Sequence, residues 1–367
     1  MQKINLIRTP KSILVISYGG IGDIFLSTPL ISSLRQAFPK ALIHVYMQKG
    51  RESILEGNDD ITAIFTTTGR HGFRSYFDFF IRFVGRYDLA VSIRCSDRQV
   101  LFARIAGRKA ISLIPQQRQN RFWKKQILSG WVSEDREQHV VFNILELADV
   151  LGIARNVKCR MPSDLKSEDR LKSLLPFSWK QEAYGVIHLS PRNRYKEWTV
   201  EGWCAIAQFF QEKKLKLILL GGPSNEERSY IKSVMQSIPS EVINIAGRAS
   251  FPDAVTLLRS SVLYIGPDTA VTHLSAALEV PTIALFGRAL TDYAPYHQKL
   301  LDEPYCEVSS TLLSSKHVHV VTGNCSCTNE HLVCTHKPSE MSLCMKSISV
   351  EAVIGVINKI FNMRGFP

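Results

Sequence analysis

Two stretches of this chain hold residues whose types and spacing could do chemistry on their own terms. The first is "SYGGIGDIFLST" (17–28), directly after the apolar run "ILVI". A glycine-rich turn after a strand commonly cradles phosphate. Neither standard version fits here. G-x-G-x-x-G read from Gly20 meets Phe25 where the third glycine belongs, and Asp23 follows Gly22 where a P-loop needs lysine. "HVYMQKG", which ends the second strand, also lacks the acid that would hold a ribose. What remains is a tight turn opening a helix whose first turn carries a carboxylate. Asp23 is then either a helix cap or, at the carboxyl end of strand one, a general base. The second stretch is "NCSCTNEHLVCTHKPSEMSLCM", with Cys325, Cys327, Cys334 and Cys344. Four thiols so close could hold a structural zinc or iron, with His331 or His336 as substitutes. They could equally close a disulfide or stay free, and the C-x-C start is poor for a zinc knuckle.

The elements that must position these residues are legible as an alternation. Short β-branched runs, "ILVIS" (13–17), "LIHVY" (42–46), "TAIF" (62–65), "DLAVSI" (88–93) and "AISLI" (110–114), read as strands. Between them "DIFLSTPLISSLRQAF", "GFRSYFDFFIRFVGR" and "RQVLFARIAG" have apolar residues at helical spacing. Strands alternating with helices predict a parallel sheet covered on both faces. A helix, "VVFNILELADVLGI", leads into the polar stretch "ARNVKCRMPSDLKSEDRLKSLL", read as a linker with the boundary near residue 175. The rhythm then repeats through "YGVIHLS", "LKLILLGG", "VINIAG", "VLYIG" and "PTIALFG", with helices between. The expected fold is α/β: two doubly wound parallel-sheet domains, 1–175 and 176–348, facing a central cleft. Residues 349–367 form a terminal helix with a face to pack back on the first domain.

Length agrees, since 367 residues exceed one domain of about 150–200. No apolar run approaches the ~18–20 residues that span a bilayer, and "MQKINLIRTPKSILVIS" lacks a signal-peptide layout. A cytoplasmic protein is expected, and the eight cysteines are not a secreted disulfide framework. The net charge of +12 is concentrated: thirteen Lys/Arg stand against three acids between Arg70 and Lys125. Such a field attracts polyanions such as nucleic acid, anionic lipid head groups or a phosphorylated glycan. "RQNRFWKK" interleaves aromatics with it. The plainer alternative is a set of solvated helix faces.

"ILVISYGGIGDIFLSTPLISSLRQAFPKALIHVY" resembles the opening of the bacterial lipopolysaccharide heptosyltransferases, glycosyltransferase family 9. "IHLSPRNRYKEWTVEGWCAIAQFF", "LILLGGPSNEE" and "YIGPDTAVTHLSAALEVPTIALFG" agree in order, so the resemblance runs from about residue 12 to 360. It implies a GT-B fold of two Rossmann-like domains and an inverting transfer of heptose from ADP-heptose to an anionic lipopolysaccharide core acceptor. The first domain would bind the acceptor and the second the nucleotide sugar. Asp23, by its match to the family's GD motif, would be the catalytic base, with Gly20 and Gly22 keeping the backbone thin beside the sugars. Lys196, in "YKEW", would be the cation on the phosphates; its plain alternative is a surface lysine beside a buried Trp198.

By the same resemblance, Asp268, Thr269 and Ala270 at a helix N-terminus hold the donor's sugar and diphosphate. The plain alternative for Asp268 or Thr269 is that helix's cap, and for His273 a core histidine. Gly221, Gly222 and Glu226 lie where the family binds the nucleoside, with Glu227 competing for the ribose. Ser190, Arg192 and Arg194 complete the substrate-binding set, the arginines beside the diphosphate or as surface charge. The donor loop departs from the family in Ala270-Val271-Thr272, where Gly-Pro-Met is common, which bears on the sugar's identity. No cofactor is required for catalysis, leaving a structural zinc or iron at the cysteines as the one metal expected. The enzyme would sit on the cytoplasmic face of the inner membrane as a peripheral protein and bind no nucleic acid. Two alternatives stand beside it: a transferase of the same fold acting on a protein or another glycan, and a non-catalytic polyanion-binding protein.

Overall fold

The structure is a computed structural model that describes residues 1–366 apart from 7, 69–72, 117–121, 239–240, 288–290 and 325–339. Two compact units emerge: Met1–Pro162 with Thr291–Tyr293, and Ser163–Leu290 with Ala294–Pro367.

The first unit runs β1 (Ser12–Ile16), α1 (Ile21–Leu26), α2 (Thr28–Ala37), β2 (Leu42–Gln48), β3 (Ala63–Thr67), α3 (Phe73–Phe83), β4 (Tyr87–Ser92), α4 (Asp97–Ala106), β5 (Gly107–Ile114), α5 (Phe122–Ile127), β6 (Gly130–Ser133) and α6 (Val140–Leu151). Its strands form one sheet in the order β3-β2-β1-β4-β5-β6, and every pairing is parallel. The strand order reverses between β1 and β4. Ile13, Leu14, Val15 and Ile16 are all fully buried, which is why "ILVI" lacks alternation: a central parallel strand has helices over both faces.

The expected single helix over "DIFLSTPLISSLRQAF" is two, α1 and α2, parted at Ser27. Pro29 has no N–H to give the Phe25 carbonyl. The Thr28 hydroxyl donates to that carbonyl instead, at 2.7 Å. The break falls one turn after Asp23.

The second unit runs α7 (Ser167–Leu174), β7 (Tyr184–His188), α8 (Val200–Glu212), β8 (Lys216–Leu220), α9 (Asn225–Ser237), β9 (Ile243–Asn244), α10 (Phe251–Ser260), β10 (Leu263–Pro267), α11 (Ala270–Ala277), β11 (Thr282–Phe286), β12 (Cys306–Ser309), β13 (Leu312–Ser315), β14 (Val318–Thr322), α12 (Leu343–Lys346) and α13 (Val350–Arg364). Its sheet order is β12-β13-β14-β11-β10-β7-β8-β9. From β9 through β7 to β14 this repeats the first unit's plan, with the reversal now between β7 and β10. The hairpin β12–β13 extends the sheet antiparallel beyond β14. Sequence reading missed it because β12 is exposed throughout and has no buried face to register as a pattern.

Two boundaries move. The stretch read as a linker belongs partly to each unit, and the division falls at Pro162–Ser163 rather than near 175. Asn156 N–H donates to Ser33 Oγ at 2.8 Å and Arg160 N–H to Thr28 Oγ1 at 3.0 Å, tying this side to α2. Beyond it, Arg170 on α7 grips the buried Asp253 carboxylate of α10 through Nη2 at 2.7 Å and Nε at 2.9 Å. The terminal helix, expected to pack back on the first domain, belongs to the second unit's core: Val353, Ile357 and Phe361 are buried among residues of α8, β8 and β11.

That core also holds histidines that fold uncharged. Burial lowers His188, His297 and His319 from their ordinary 6.5 to about 4. The unfolded chain takes up their protons near pH 6.5 and the folded unit refuses them until about pH 4. Stability is therefore full above pH 6.5 and falls as pH drops through that window, by roughly 3 kcal/mol per histidine at its lower end. The urea midpoint of the second unit should be flat above neutrality and collapse on acidification. A midpoint unchanged down to pH 5 would refute this.

Candidate active site

In parallel sheets, ligands bind beyond the carboxyl ends of the strands where the strand order reverses. Each unit carries an ion pair at that place. In the first, Asp23 follows β1 and Arg94 follows β4, and Arg94 Nη2 lies 2.6 Å from Asp23 Oδ1. The second oxygen, Oδ2, accepts the Gly20 N–H at 2.7 Å. Asp23 is thus a cap by geometry, in the third position of α1 reaching back to the residue before it. Capping engages one oxygen, though, and the carboxylate stays partly exposed, at 17% of its side chain. Gly19 is what makes room: a Cβ there would lie 2.5 Å from Asp23 Oδ2, whereas at Gly20 it would lie at 3.4 Å. Sequence reading chose Gly20 and Gly22 and passed over Gly19.

Arg94 went unremarked in the sequence except as one charge among thirteen. Its main-chain carbonyl is held by the Ser92 hydroxyl at 2.7 Å and the Ser112 hydroxyl at 3.3 Å. Its guanidinium stacks 5.5 Å from the Tyr293 ring centroid. Burial opposes its charge, yet Asp23 and the Tyr293 hydroxyl outweigh this and hold its pKa above the ordinary arginine value. Burial likewise pushes the Tyr293 phenol up, so at neutral pH Tyr293 is a neutral hydrogen-bonding group.

In the second unit Lys196 follows β7 and Asp268 ends β10, and Lys196 Nζ is paired with Asp268 Oδ2. Trp198 fixes the lysine's loop. Its ring is fully buried, packs edge-on against Trp203 at 5.1 Å, and donates Nε1–H to the Ile348 carbonyl at 3.1 Å. That is the physical content of K-x-W: the anchored indole two residues on leaves Lys196 partly exposed, at 31%. His273, on the first turns of α11, is buried with Nε2 3.9 Å from Asp268 Oδ1. Asp268, Lys196 and His273 therefore form one group. The Thr269 side chain turns to Thr272 Oγ1 at 3.2 Å and makes no cap bond to α11. The N–H groups opening that helix, Ala270 among them, are left for an anion.

The strand beside β7 brings the glycines. Gly221 and Gly222 follow β8, and a Cβ on Gly222 would lie 2.4 Å from Glu227 Oε2. Glu227, rather than the exposed Glu226, is the acid turned toward them. Ser224 caps α9 by accepting the Glu227 N–H at 3.2 Å, which sets the helix phase and points Glu227 inward. The S-x-x-E spacing was a signal in the sequence that could have chosen between the two acids. Burial raises the Glu227 carboxyl, with the Gly222 N–H pulling the other way. His188 Nε2 sits 3.6 Å from Glu227 Oε1.

The remaining expected residues divide. Ser190 is buried just past β7. Arg192 is exposed, and Arg194 pairs through Nε with the buried Glu197 carboxylate at 3.3 Å, so it serves the loop. Of the four late cysteines, Cys325, Cys327 and Cys334 lie outside the described residues, and Cys344 is buried. Among the described residues, no three His, Cys, Asp or Glu side chains are grouped to hold a metal ion.

Residues 85–318 match the family profile described as glycosyltransferase family 9 (heptosyltransferase). A lipopolysaccharide heptosyltransferase 3 of Escherichia coli is 27% identical over 275 residues, which is 72% of this chain and 80% of that protein. A family 9 glycosyl transferase from Veillonella parvula aligns in structure with a TM-score of 0.72 at 17% identity, covering 96% of this chain and 97% of its own. The E. coli ADP-heptose lipopolysaccharide heptosyltransferase II gives 0.68 at 17% identity over 96% and 99%. Two Rossmann-like sheets, each with one reversal of strand order, are the GT-B fold that this chain shares with these neighbours. The chain belongs to glycosyltransferase family 9 and is a glycosyltransferase.

Proposed function

We propose that this enzyme moves a heptose from an ADP-linked donor to an anionic lipopolysaccharide core, inverting the anomeric carbon. The observation that carries the reading is the grouping at the carboxyl ends of β8, β7 and β10, adjacent parallel strands. There a glycine turn with an inward acid, a lysine and an open helix N-terminus stand in a row. Glu227 accepts from ribose hydroxyls beside Gly221 and Gly222. Lys196 and the α11 N–H groups take the diphosphate. Asp268 and His273 face the sugar.

The reaction is a single displacement. The acceptor oxygen bonds to the anomeric carbon as the carbon–phosphate oxygen bond breaks, and the electron pair leaves with ADP. Asp23 removes the acceptor hydroxyl proton, and Lys196 stabilises the charge that develops on the leaving phosphate. Of the three relatives named, two are lipopolysaccharide heptosyltransferases and one of these carries ADP-heptose in its name, which supports this choice of donor and acceptor. Such an acceptor places the enzyme on the cytoplasmic face of the inner membrane. No helix among the described residues is long and apolar enough to cross a bilayer.

Thermal-shift titration with ADP-, UDP- and GDP-linked sugars tests the donor: ADP-heptose alone should raise the melting temperature appreciably, and indifference to all three defeats the reading. The two acids give a sharper check. Glu227→Gln should weaken ADP binding by about tenfold, and Glu226→Gln should leave it within twofold. Equal effects in calorimetry would remove Glu227 from the ribose.

A further inference from the structure

The basic segment is less uniform than its composition suggests. Lys124 is buried, donating to the Cys95 carbonyl and paired with Asp97 at 2.7 Å. Arg98 is also buried, boxed by the rings of Tyr18 and Phe102 at 4.5 and 5.2 Å. Arg94 is committed to Asp23. These cations hold the unit together, while Arg82 and Arg86 are exposed and flank something the charge count did not reveal.

Helix α3 buries Phe79 and Phe83 against α4, where the Phe79 and Phe102 rings stack at 3.9 Å. On its other side Phe77, Phe80, Ile81 and Val84 are 53%, 49%, 55% and 45% exposed. At 77, 80, 81 and 84 they stand at i, i+3, i+4 and i+7, which puts all four on one face, and the Val84 N–H donating to the Phe80 carbonyl at 3.0 Å carries the turn on to Val84. Phe79 and Phe83 are the α3 residues buried in the unit's core, and the second apolar face lies largely open to solvent. Exposed apolar stripes of this size mark interaction sites.

We infer that the outer face of α3 is a docking surface for an anionic phospholipid bilayer, with Phe77, Phe80, Ile81 and Val84 entering the acyl boundary and Arg82 and Arg86 meeting the phosphates. Charge complementarity selects this occupant: Arg82 on the same helix, its guanidinium over the Phe65 and Phe83 rings, and Arg86 just past its end are exposed cations beside the apolar stripe, a combination found in helices that lie in the head-group plane. At eleven residues the helix is about 16 Å long, enough to lie on a bilayer and too short to cross it. The inference rests on the reading of a lipid-linked anionic acceptor and adds the surface that would meet the membrane carrying it.

The test is co-sedimentation of the full chain with phosphatidylcholine vesicles, with and without phosphatidylglycerol. The wild type should bind only the anionic vesicles and release with salt. The double variant Phe80→Gln/Ile81→Gln and the single variant Arg86→Glu should each lose at least roughly tenfold in partition coefficient. Their unfolding midpoints and their transfer to a soluble, lipid-free core oligosaccharide should match wild type. Failure of the wild type to bind, or unchanged binding by the variants, overturns the inference. So does concentration-dependent dimerisation that vanishes in Phe80→Gln/Ile81→Gln, which would assign the face to a second copy of this chain. Vesicle binding of the expected pattern without heptosyl transfer keeps the docking surface and removes only the acceptor reading.

Discussion

Asp23→Asn lowers turnover by at least ~100-fold while leaving ADP-heptose affinity near wild type, if Asp23 is the base. Asparagine is the informative substitution because Asp23 has two other partners. An amide oxygen still accepts the Gly20 N–H that Oδ2 accepts at 2.7 Å, so the entry into α1 is kept. What is lost is the ability to take a proton, together with the charge that Arg94 pairs with. Asp23→Ala loses both of these and strips the cap as well, so it also disturbs the entry into α1. Arg94→Gln separates positioning from proton transfer: it should lower turnover by less than Asp23→Asn and leave ADP-heptose affinity near wild type, since Arg94 acts on the rate only through Asp23. Near-wild-type turnover in Asp23→Asn, measured by quantifying released ADP, would remove Asp23 from the mechanism.

Lys196→Ala should weaken donor binding at least tenfold and lower turnover by about 100-fold, the scale for removing one group that stabilises developing charge. Both parameters move because the lysine meets the diphosphate before and during bond breaking. Without ligand Nζ is paired with Asp268, so donor binding redistributes one cation between a carboxylate and a diphosphate. Arginine should restore little, because a planar fork cannot occupy a site shaped for a point charge. Unchanged calorimetric affinity for ADP in Lys196→Ala would deny it the phosphates.

These two residues also show where sequence reading stops. Asp23 and Lys196 were legible through the motifs they match, GD after the first strand and K-x-W after the first strand of the second half. Their partners were not. Arg94 is 71 residues from Asp23, and Asp268 is 72 from Lys196. No local periodicity links such positions. They meet because the strand order in each sheet puts the fourth strand beside the first, and the order of strands is a property of helix packing over the whole unit. Glu226 and Glu227 mark the opposite case. One step along a helix turns a side chain by about 100°, and the cap that set the phase, Ser224, was present in the sequence.

By itself, then, the chain's local order determined the alternation of strand and helix, the repetition of that plan in two halves, the family, and the positions of Asp23, Lys196 and the glycine turns. These depend on burial and turn chemistry acting over a few residues. Tertiary structure decided the ion pairs at the two strand-order reversals, the boundary at Pro162, the place of the terminal helix in the second core, and the outward apolar face of α3. Each of these is set by which surfaces find one another at long range. A free energy spread over many distant contacts leaves no signature in any single stretch of residues.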